Sequence, residues 1–196
     1  MAHTRLPALG AFAAAVWLAV ALAPAQDKKK DPQDKFEPRS APGAGQKYLA
    51  KFVGDWDVVK TFHPRAGGKP VVQNGECKQE MIQGGRFLQS SFTFRQGETK
   101  TTGQGLVGFE TSSGAFTTVW IDSRRTAMSF RKSKDKFDGE QIVLFGTSLG
   151  EAKEGRVSKT VSKLEDDGKK IVHQQFTVGA DGKERIIMEL VLTRKK

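Results

Sequence analysis

Apolar and polar side chains alternate along several stretches of the chain, most regularly near the carboxyl terminus. One face of that stretch carries Ile186, Met188, Leu190 and Leu192. Glu189 and Thr193 fall on the opposite face. Because successive side chains of a β-strand point to opposite faces, the pattern predicts a strand whose apolar face packs against a core.

Two further stretches show the same kind of alternation. In the first, the residues predicted to face the core are Leu88, Ser90, Phe92 and Phe94. In the second, the predicted inward set is Val172, Gln174, Phe176 and Val178. The second assignment places His173 and Gln175 on the outer face.

Turn residues separate these stretches at short, regular intervals. All seven prolines lie at or before Pro70, so none interrupts sheet pairing in the rest of the chain. Hairpin signals then occur at residues 84–85, 96–97, 112–114, 123–125, 138–139, 150–155, 166–168 and 181–182. This spacing predicts about ten strands between Phe52 and the carboxyl terminus. A helical pattern over 46–52 predicts one or two turns of helix that cover one end of the sheet.

We predict that the strands close into an all-β antiparallel meander barrel of about ten strands, because closure removes both free edges. A barrel of that size is wide enough to leave a lumen. With an even number of strands, the first and last strands are antiparallel neighbours, which places Trp56 beside Arg194. The guanidinium can then stack on the indole and close one end of the barrel.

The predicted lumen combines a mostly apolar lining with a few polar groups, as ligand pockets do. Its predicted lining is Phe92, Phe94, Trp120, Met128 and Phe130, with Asp122 and Gln174 as polar contacts. A core filled by side chains is the alternative. If Lys159 and Lys163 point outward, three hydroxyl side chains of the same segment point inward, which is costly in a dry core and favourable beside water or a polar ligand.

Sequence motifs for catalysis or cofactor binding are weak. Residues 103–108 satisfy the letters G-x-G-x-x-G, but a turn and another strand follow where a dinucleotide site needs a helix. Asp122 and Ser123 could join a histidine, yet no nucleophile-elbow motif surrounds them. Cys77 shares a strand face with apolar residues and is predicted to be a small core residue. We therefore expect no cofactor and no metal site, and favour a binding protein over an enzyme.

The amino terminus has the features of a secretory signal over residues 1–25: a short polar head, an apolar run and a small-x-small site at Ala23-Pro24-Ala25. The apolar run is shorter than a membrane-spanning helix requires, so cleavage would leave no integral membrane segment. Residues 26–45 carry lysines and prolines with few apolar side chains, which predicts a basic, disordered tether. The folded domain is then 46–196, in a protein exported to the periplasm or the extracellular space.

Charge adds a limited constraint on partners. The 196 residues include 32 Lys and Arg against 22 Asp and Glu, a net charge of +10. Basic and acidic residues are scattered together, without a basic helix or a base-stacking motif, which argues against nucleic acid as a partner. A well-solvated surface accounts for this pattern, and weak contact with an anionic envelope surface is the alternative.

Several short motifs resemble those of known barrel proteins. Gly54-Asp55-Trp56 is similar to the G-x-W signature of the calycins, the lipocalin and fatty-acid-binding superfamily. The blocks at 81–88 (MIQGGRFL), 105–110 (GLVGFE) and 120–123 (WIDS) resemble, in that order, a bacterial domain-of-unknown-function family, number fifteen-seventy-nine. The resemblance covers about Tyr48 to Lys195. It implies a lipocalin-like barrel in exported bacterial proteins and provides no catalytic residues to carry over.

These observations predict an exported binding module that holds a small amphipathic or hydrophobic molecule in the barrel lumen. A barrel enzyme of unknown reaction and an envelope-associated structural protein with a filled core are the alternatives.

Overall fold

The computed structural model describes residues 41–64, 67–146 and 157–196. The predicted signal peptide, most of the predicted tether and the turn at 150–155 lie outside the described residues. In the described part of the chain, no helix is long and apolar enough to cross a membrane.

One short helix precedes ten antiparallel strands that close into a barrel. The elements are α1 (Ala44–Ala50), β1 (Gly54–Phe62), β2 (Val71–Ile82), β3 (Phe87–Gln96), β4 (Thr99–Glu110), β5 (Ala115–Asp122), β6 (Ser129–Lys132), β7 (Gln141–Gly146), β8 (Val157–Glu165), β9 (Lys170–Val178) and β10 (Glu184–Arg194). Each strand pairs with the next in sequence, and β1 pairs with β10. The predicted meander barrel and its short amino-terminal helix are therefore confirmed.

Helix α1 covers the end of the barrel where β1 begins, which we call the base. Leu49 of this helix is completely buried and contacts the core together with Tyr48 and Phe52. The helix also comes close to β4 at Gly45. A Cβ at this position would lie 2.1 Å from the Phe109 ring. Gln46 ties the two elements together by donating from Nε2 to the Phe109 carbonyl oxygen at 2.8 Å.

An aromatic cluster fills the space beneath the helix. Phe116 packs between Phe109 and Phe137, with ring centroids 4.8 and 5.0 Å away, and Tyr48 lies 4.9 Å from Phe137. These contacts fill the space between α1, β4 and β5 with large rings. The base half is accordingly a packed core.

The seam between β1 and β10 has the predicted register, with Trp56 directly opposite Arg194. The guanidinium carbon lies 4.2 Å from the centre of the indole ring system, within the range of a cation–π contact. Arg194 also donates to the carbonyl oxygens of Val53, Lys51 and Gly168 at 2.6, 2.9 and 3.0 Å. Trp56 is fully buried and donates to the Phe52 carbonyl oxygen at 3.0 Å.

The predicted inward face of β3 is correct, whereas that of β9 is inverted; of the two faces of β8 that the sequence left open, the one with Thr160 and Ser162 lies inward. Ile171, His173 and Gln175 of β9 face the interior, and Val172 and Phe176 face outward. On the outer surface, the ammonium of Lys159 lies over the Phe176 ring, 5.6 Å from its centre. Apolarity alone was the wrong guide here, because the inner face of β9 is largely polar.

A β-bulge in β10 makes its inner face differ from the predicted one. The pairing with β9 skips Ile187, so that Ile186 pairs with the outward Phe176 and Met188 pairs with the inward Gln175. An extra residue in one strand reverses the parity on its far side. Ile186 therefore lies on the outer face, while Met188, Leu190 and Leu192 face inward as predicted.

Trp56→Ala should lower the free energy of unfolding by about 3–5 kcal/mol, because it removes a fully buried aromatic ring. Arg194→Ala should also destabilise the fold, since it leaves three carbonyl oxygens without their charged donor. In a double-mutant cycle followed by urea unfolding, we expect a coupling of about 1 kcal/mol between the two positions.

The neighbouring outward pair Asp57 and Thr193 provides the matched control, because both residues are exposed and occupy the next position of the same seam. Its cycle should show no coupling. Equal coupling in both cycles would contradict a specific role for the stacked pair.

Candidate functional site

A cavity of about 250 Å³ lies inside the barrel; its lining includes Phe52 and Leu88 near α1, and it extends to Lys60 and Asp122 towards the end away from α1. We call this end the mouth; β1 ends there at Phe62 and β5 ends there at Asp122. Arg124, Arg125 and Ala127, which follow β5, lie at its rim. The barrel thus contains a cavity, while packed aromatic rings lie beneath α1.

Aromatic side chains of β3 and β5 form one wall of the cavity. The rings of Phe92 and Phe94 are stacked with centroids 6.0 Å apart, and Trp120 meets Phe92 edge-on at 5.5 Å. All three side chains lie where the sequence predicted them. Together they give the cavity a continuous apolar surface.

Two glycines of β4 make room for the Trp120 ring. A Cβ on Gly103 would lie 2.3 Å from Cζ2 of the indole, and one on Gly105 would lie 3.3 Å from Cε3. The ring therefore lies flat against the backbone of the neighbouring strand. The glycine-rich stretch that resembles a dinucleotide motif by its letters serves this packing within a strand.

Asp122 lines the cavity, as predicted, but its oxygens are already engaged by protein groups. Arg124 donates from its backbone nitrogen at 2.9 Å and from Nη2 at 3.0 Å, and Trp120 donates from Nε1 at 3.2 Å. Burial alone would raise the pKa of Asp122, but these hydrogen bonds and the Arg124 charge outweigh it and lower the pKa. The carboxylate is thus ionised, and it orients Trp120.

The opposite wall is polar and comes from β8 and β9. Thr160 and Ser162 point inward because the lysines of β8 point outward, and they face His173 and Gln175. Ser162 Oγ lies 2.8 Å from Nδ1 of His173. Burial, with a smaller contribution from the nearby Arg131 charge, lowers the pKa of His173 to about 4, so the imidazole is neutral at neutral pH.

Two cationic side chains that the sequence analysis missed also face the cavity. Arg131 points inward from β6, where it pairs with Thr118 of β5. Lys60 points inward from β1, is 8% exposed, and holds its ammonium 4.9 Å from the centre of the Phe94 ring. Burial lowers the pKa of both groups; for Lys60 the Arg124 charge adds to this effect and the Asp122 charge opposes it. The alternation of β1 that predicts an inward Trp56 also predicts an inward Lys60, so the position of Lys60 could have been predicted from the sequence.

A buried amide marks the deeper part of the cavity. Gln79 donates from Nε2 to Ser90 Oγ at 2.8 Å, and both side chains line the cavity. Gln79 Oε1 is buried and has no hydrogen-bond partner in the described structure. A buried acceptor of this kind is normally satisfied by water or a ligand.

Three residues predicted to line the lumen lie outside it. Phe130 is 44% exposed on the outer face of β6, where it pairs with Val119, because the inward position next to it belongs to Arg131. Met128 is equally exposed and precedes β6. Gln174 faces outward as part of the inverted β9, and its Nε2 donates to Glu189 Oε2 at 2.7 Å.

The remaining chemical candidates have structural roles in the described part of the chain. Ser123 Oγ accepts a hydrogen bond from the backbone nitrogen of Thr102 at 3.0 Å. Cys77 is 3% exposed, and burial raises the pKa of its thiol, which makes it an unreactive core residue as expected. Among the described residues, no group of three or more His, Cys, Asp or Glu side chains is placed to hold a metal ion.

The described residues thus form a closed antiparallel barrel that encloses a cavity. The chain belongs to the protein family of unknown function DUF1579, whose profile matches residues 41–194. This confirms the family resemblance carried by the sequence blocks at 81–88, 105–110 and 120–123.

Comparison with solved structures supports the same fold. The crystal structure of Rv2717c from M. tuberculosis superimposes with a TM-score of 0.58 at 14% sequence identity, and the match covers 80% of this chain and 100% of that chain. At this level of identity the likeness concerns the fold alone. None of the curated proteins matches the chain.

Gly103→Ala should destabilise the protein by about 1–3 kcal/mol in urea unfolding, because the new methyl group overlaps the Trp120 ring. Gln104→Ala, one position along the same strand and facing outward, should have little effect. Unchanged stability of Gly103→Ala would show that the indole does not rest on the β4 backbone.

Acidification should destabilise the fold through His173. Its folded-state pKa of about 4 lies below the unfolded value near 6.5, so the unfolded chain binds more protons between those pH values. Stability should therefore fall by about 3 kcal/mol as the pH decreases through this window.

The measurement compares unfolding free energies of the wild type and His173→Gln at pH 7 and pH 4. Carboxylates titrate in both proteins, so the difference between the two pH dependences isolates His173. Identical pH dependences would contradict the depressed pKa.

Proposed function

We propose that this protein is a binding module that holds one small amphipathic molecule in the cavity of its barrel. The observation that carries this proposal is the cavity itself, which has Phe92, Phe94 and Trp120 on one side and Thr160, Ser162 and His173 on the other. An apolar wall that faces a polar wall suits a molecule with one apolar part and one polar part.

The unpartnered acceptor of Gln79 supports the same proposal. A filled core excludes buried polar atoms without partners, because each costs about 1–3 kcal/mol. The Gln79 side chain lines the cavity, so a rotation of its amide would bring Oε1 within reach of a hydroxyl or amine of a ligand, or of a water that accompanies it.

Cavity volume limits the size of the ligand. Pockets for drug-sized ligands usually have roughly 300–1,000 Å³, and this cavity has about 250 Å³. We therefore propose a ligand smaller than a typical drug, such as a medium-length alkyl chain with a head group or two linked aromatic ring systems. The features of residues 1–25 support the further proposal that the module acts after export, in the periplasm or the extracellular space.

An enzyme is the second candidate that the sequence raised, and Ser162 with His173 is the pair that would serve it. In the described part of the structure, no carboxylate hydrogen-bonds His173 to orient it as a base. Its low pKa also makes the imidazole a weak proton acceptor. The geometry therefore favours binding over catalysis.

N-phenyl-1-naphthylamine, a neutral fluorescent probe, tests the proposal. We expect saturable binding near one probe per chain, with energy transfer from Trp120. At a hundred times its Kd the probe should stabilise the fold by about 2.7 kcal/mol, provided that the unfolded chain does not bind it.

Leu144→Trp should weaken probe binding at least tenfold, because the larger ring enters the cavity from β7. Val143→Trp is the matched control, since it makes the same kind of change one position away on the outer face. Absence of binding to the wild type, or equal weakening by both variants, would contradict a ligand in the lumen.

A further inference from the structure

The cavity carries an excess of positive charge in the described structure. Its lining includes Lys60, Arg124, Arg125 and Arg131 against a single carboxylate, Asp122. Arg124 is paired with Asp122 at 3.0 Å. The negative charge of the lining is thus already balanced at the rim, and Lys60 and Arg131 lie within the barrel without a carboxylate contact among the residues that the structure describes.

Arg131 has far more hydrogen-bonding capacity than the protein uses. A guanidinium has five N–H donors. The hydrogen bond found for Arg131 in the described residues runs from Nε to Ser158 Oγ and is long, at 3.4 Å. Ser158 directs its own proton to the Gly146 carbonyl oxygen at 2.7 Å, so it is held in place as the acceptor.

The surroundings of Arg131 favour an anion over other kinds of ligand. Burying a cation without a partner is costly, and an oxyanion from a ligand removes that cost. The planar fork of the guanidinium matches the two oxygens of a carboxylate, sulfate or phosphate group. Neutral His173 and the Ser162 hydroxyl lie on the adjoining wall and can add hydrogen bonds without adding charge.

Lys60 reinforces this preference from across the barrel. It lies on β1, five strands from β6 in either direction around the closed sheet, and therefore on the opposite wall from Arg131. Any molecule in the cavity lies between the two cations. An anionic group is stabilised by both, whereas a cationic group is repelled by both.

We propose that the ligand of this binding module is an amphiphile with one oxyanion head group, which Arg131 binds, and an apolar part that contacts Phe92 and Trp120. This inference rests on the proposed function, because it specifies the chemistry of the molecule in the same cavity. Lys60 contributes to the selection of negative charge and is not required for the bidentate contact.

Four eight-carbon amphiphiles with different head groups provide the test: octanoate, octyl sulfate, octanol and octylammonium. Their affinities are measured by calorimetry at pH 7. We expect octanoate or octyl sulfate to bind at least tenfold more tightly than octanol, and octylammonium to bind most weakly. The tighter of the two anions identifies which oxyanion the site prefers.

Arg131→Gln should remove the preference, weakening the anions at least tenfold while leaving the affinity for octanol within about twofold. Lys132→Gln is the matched control, because it removes a positive charge from the next residue of β6, which faces outward. Arg131→Lys should retain part of the preference, since it keeps the charge and loses the fork. The comparison of head groups on the wild type requires no variant, so it decides the matter even if Arg131→Gln does not fold.

The outcomes separate the two proposals. If octanol and the anions bind equally to the wild type, or if Lys132→Gln matches Arg131→Gln, the binding module stands and the anionic ligand is overturned. If neither the four amphiphiles nor N-phenyl-1-naphthylamine binds, the proposed function itself fails.

Discussion

The seam between β1 and β10 is the constraint on which the rest of the structure depends, and Arg194 holds it together. One guanidinium contacts the indole of Trp56 and donates to three carbonyl oxygens, which belong to the end of α1, the approach to β1 and the turn between β8 and β9. Without this seam the meander would be an open sheet with two unpaired edges and no enclosed interior. Helix α1 would then have no closed end of a barrel to cover.

Closure at the base allows the other half of the barrel to remain hollow. Large rings and the inserted Leu49 supply most of the packed apolar volume near α1. Towards the mouth, the inward positions include Gly103 and Gly105, as well as hydroxyl and amide side chains that fill less space. Packed apolar side chains thus predominate at the base, and the charged side chains of the cavity lining lie towards the mouth.

The sequence predicted the fold well because strand alternation and turn residues act locally. It also predicted the pairing of Trp56 with Arg194, since an even number of strands determines which two meet. Its errors concern the cavity, where the rule that apolar side chains face inward fails. On β9 and β6 the inward positions belong to His173 and Arg131, while Gln174 and Phe130 face outward. In this barrel many inward side chains are polar and several outward ones are apolar, which is the reverse of the usual arrangement. Only the register of each strand with its neighbours then shows which of its side chains face inward.

The placement of the tryptophans gives the molecule two separate optical reporters. The sequence has three tryptophans, of which Trp17 falls in the predicted signal peptide. Trp56 is sealed at the base beneath a guanidinium, so its emission reports whether the barrel is intact. Trp120 lies on the cavity wall beside an ionised carboxylate, so its emission responds to what occupies the space in front of it. In a chain that lacks residues 1–25, replacing either indole by phenylalanine would leave a single tryptophan, whose emission follows folding or occupancy alone.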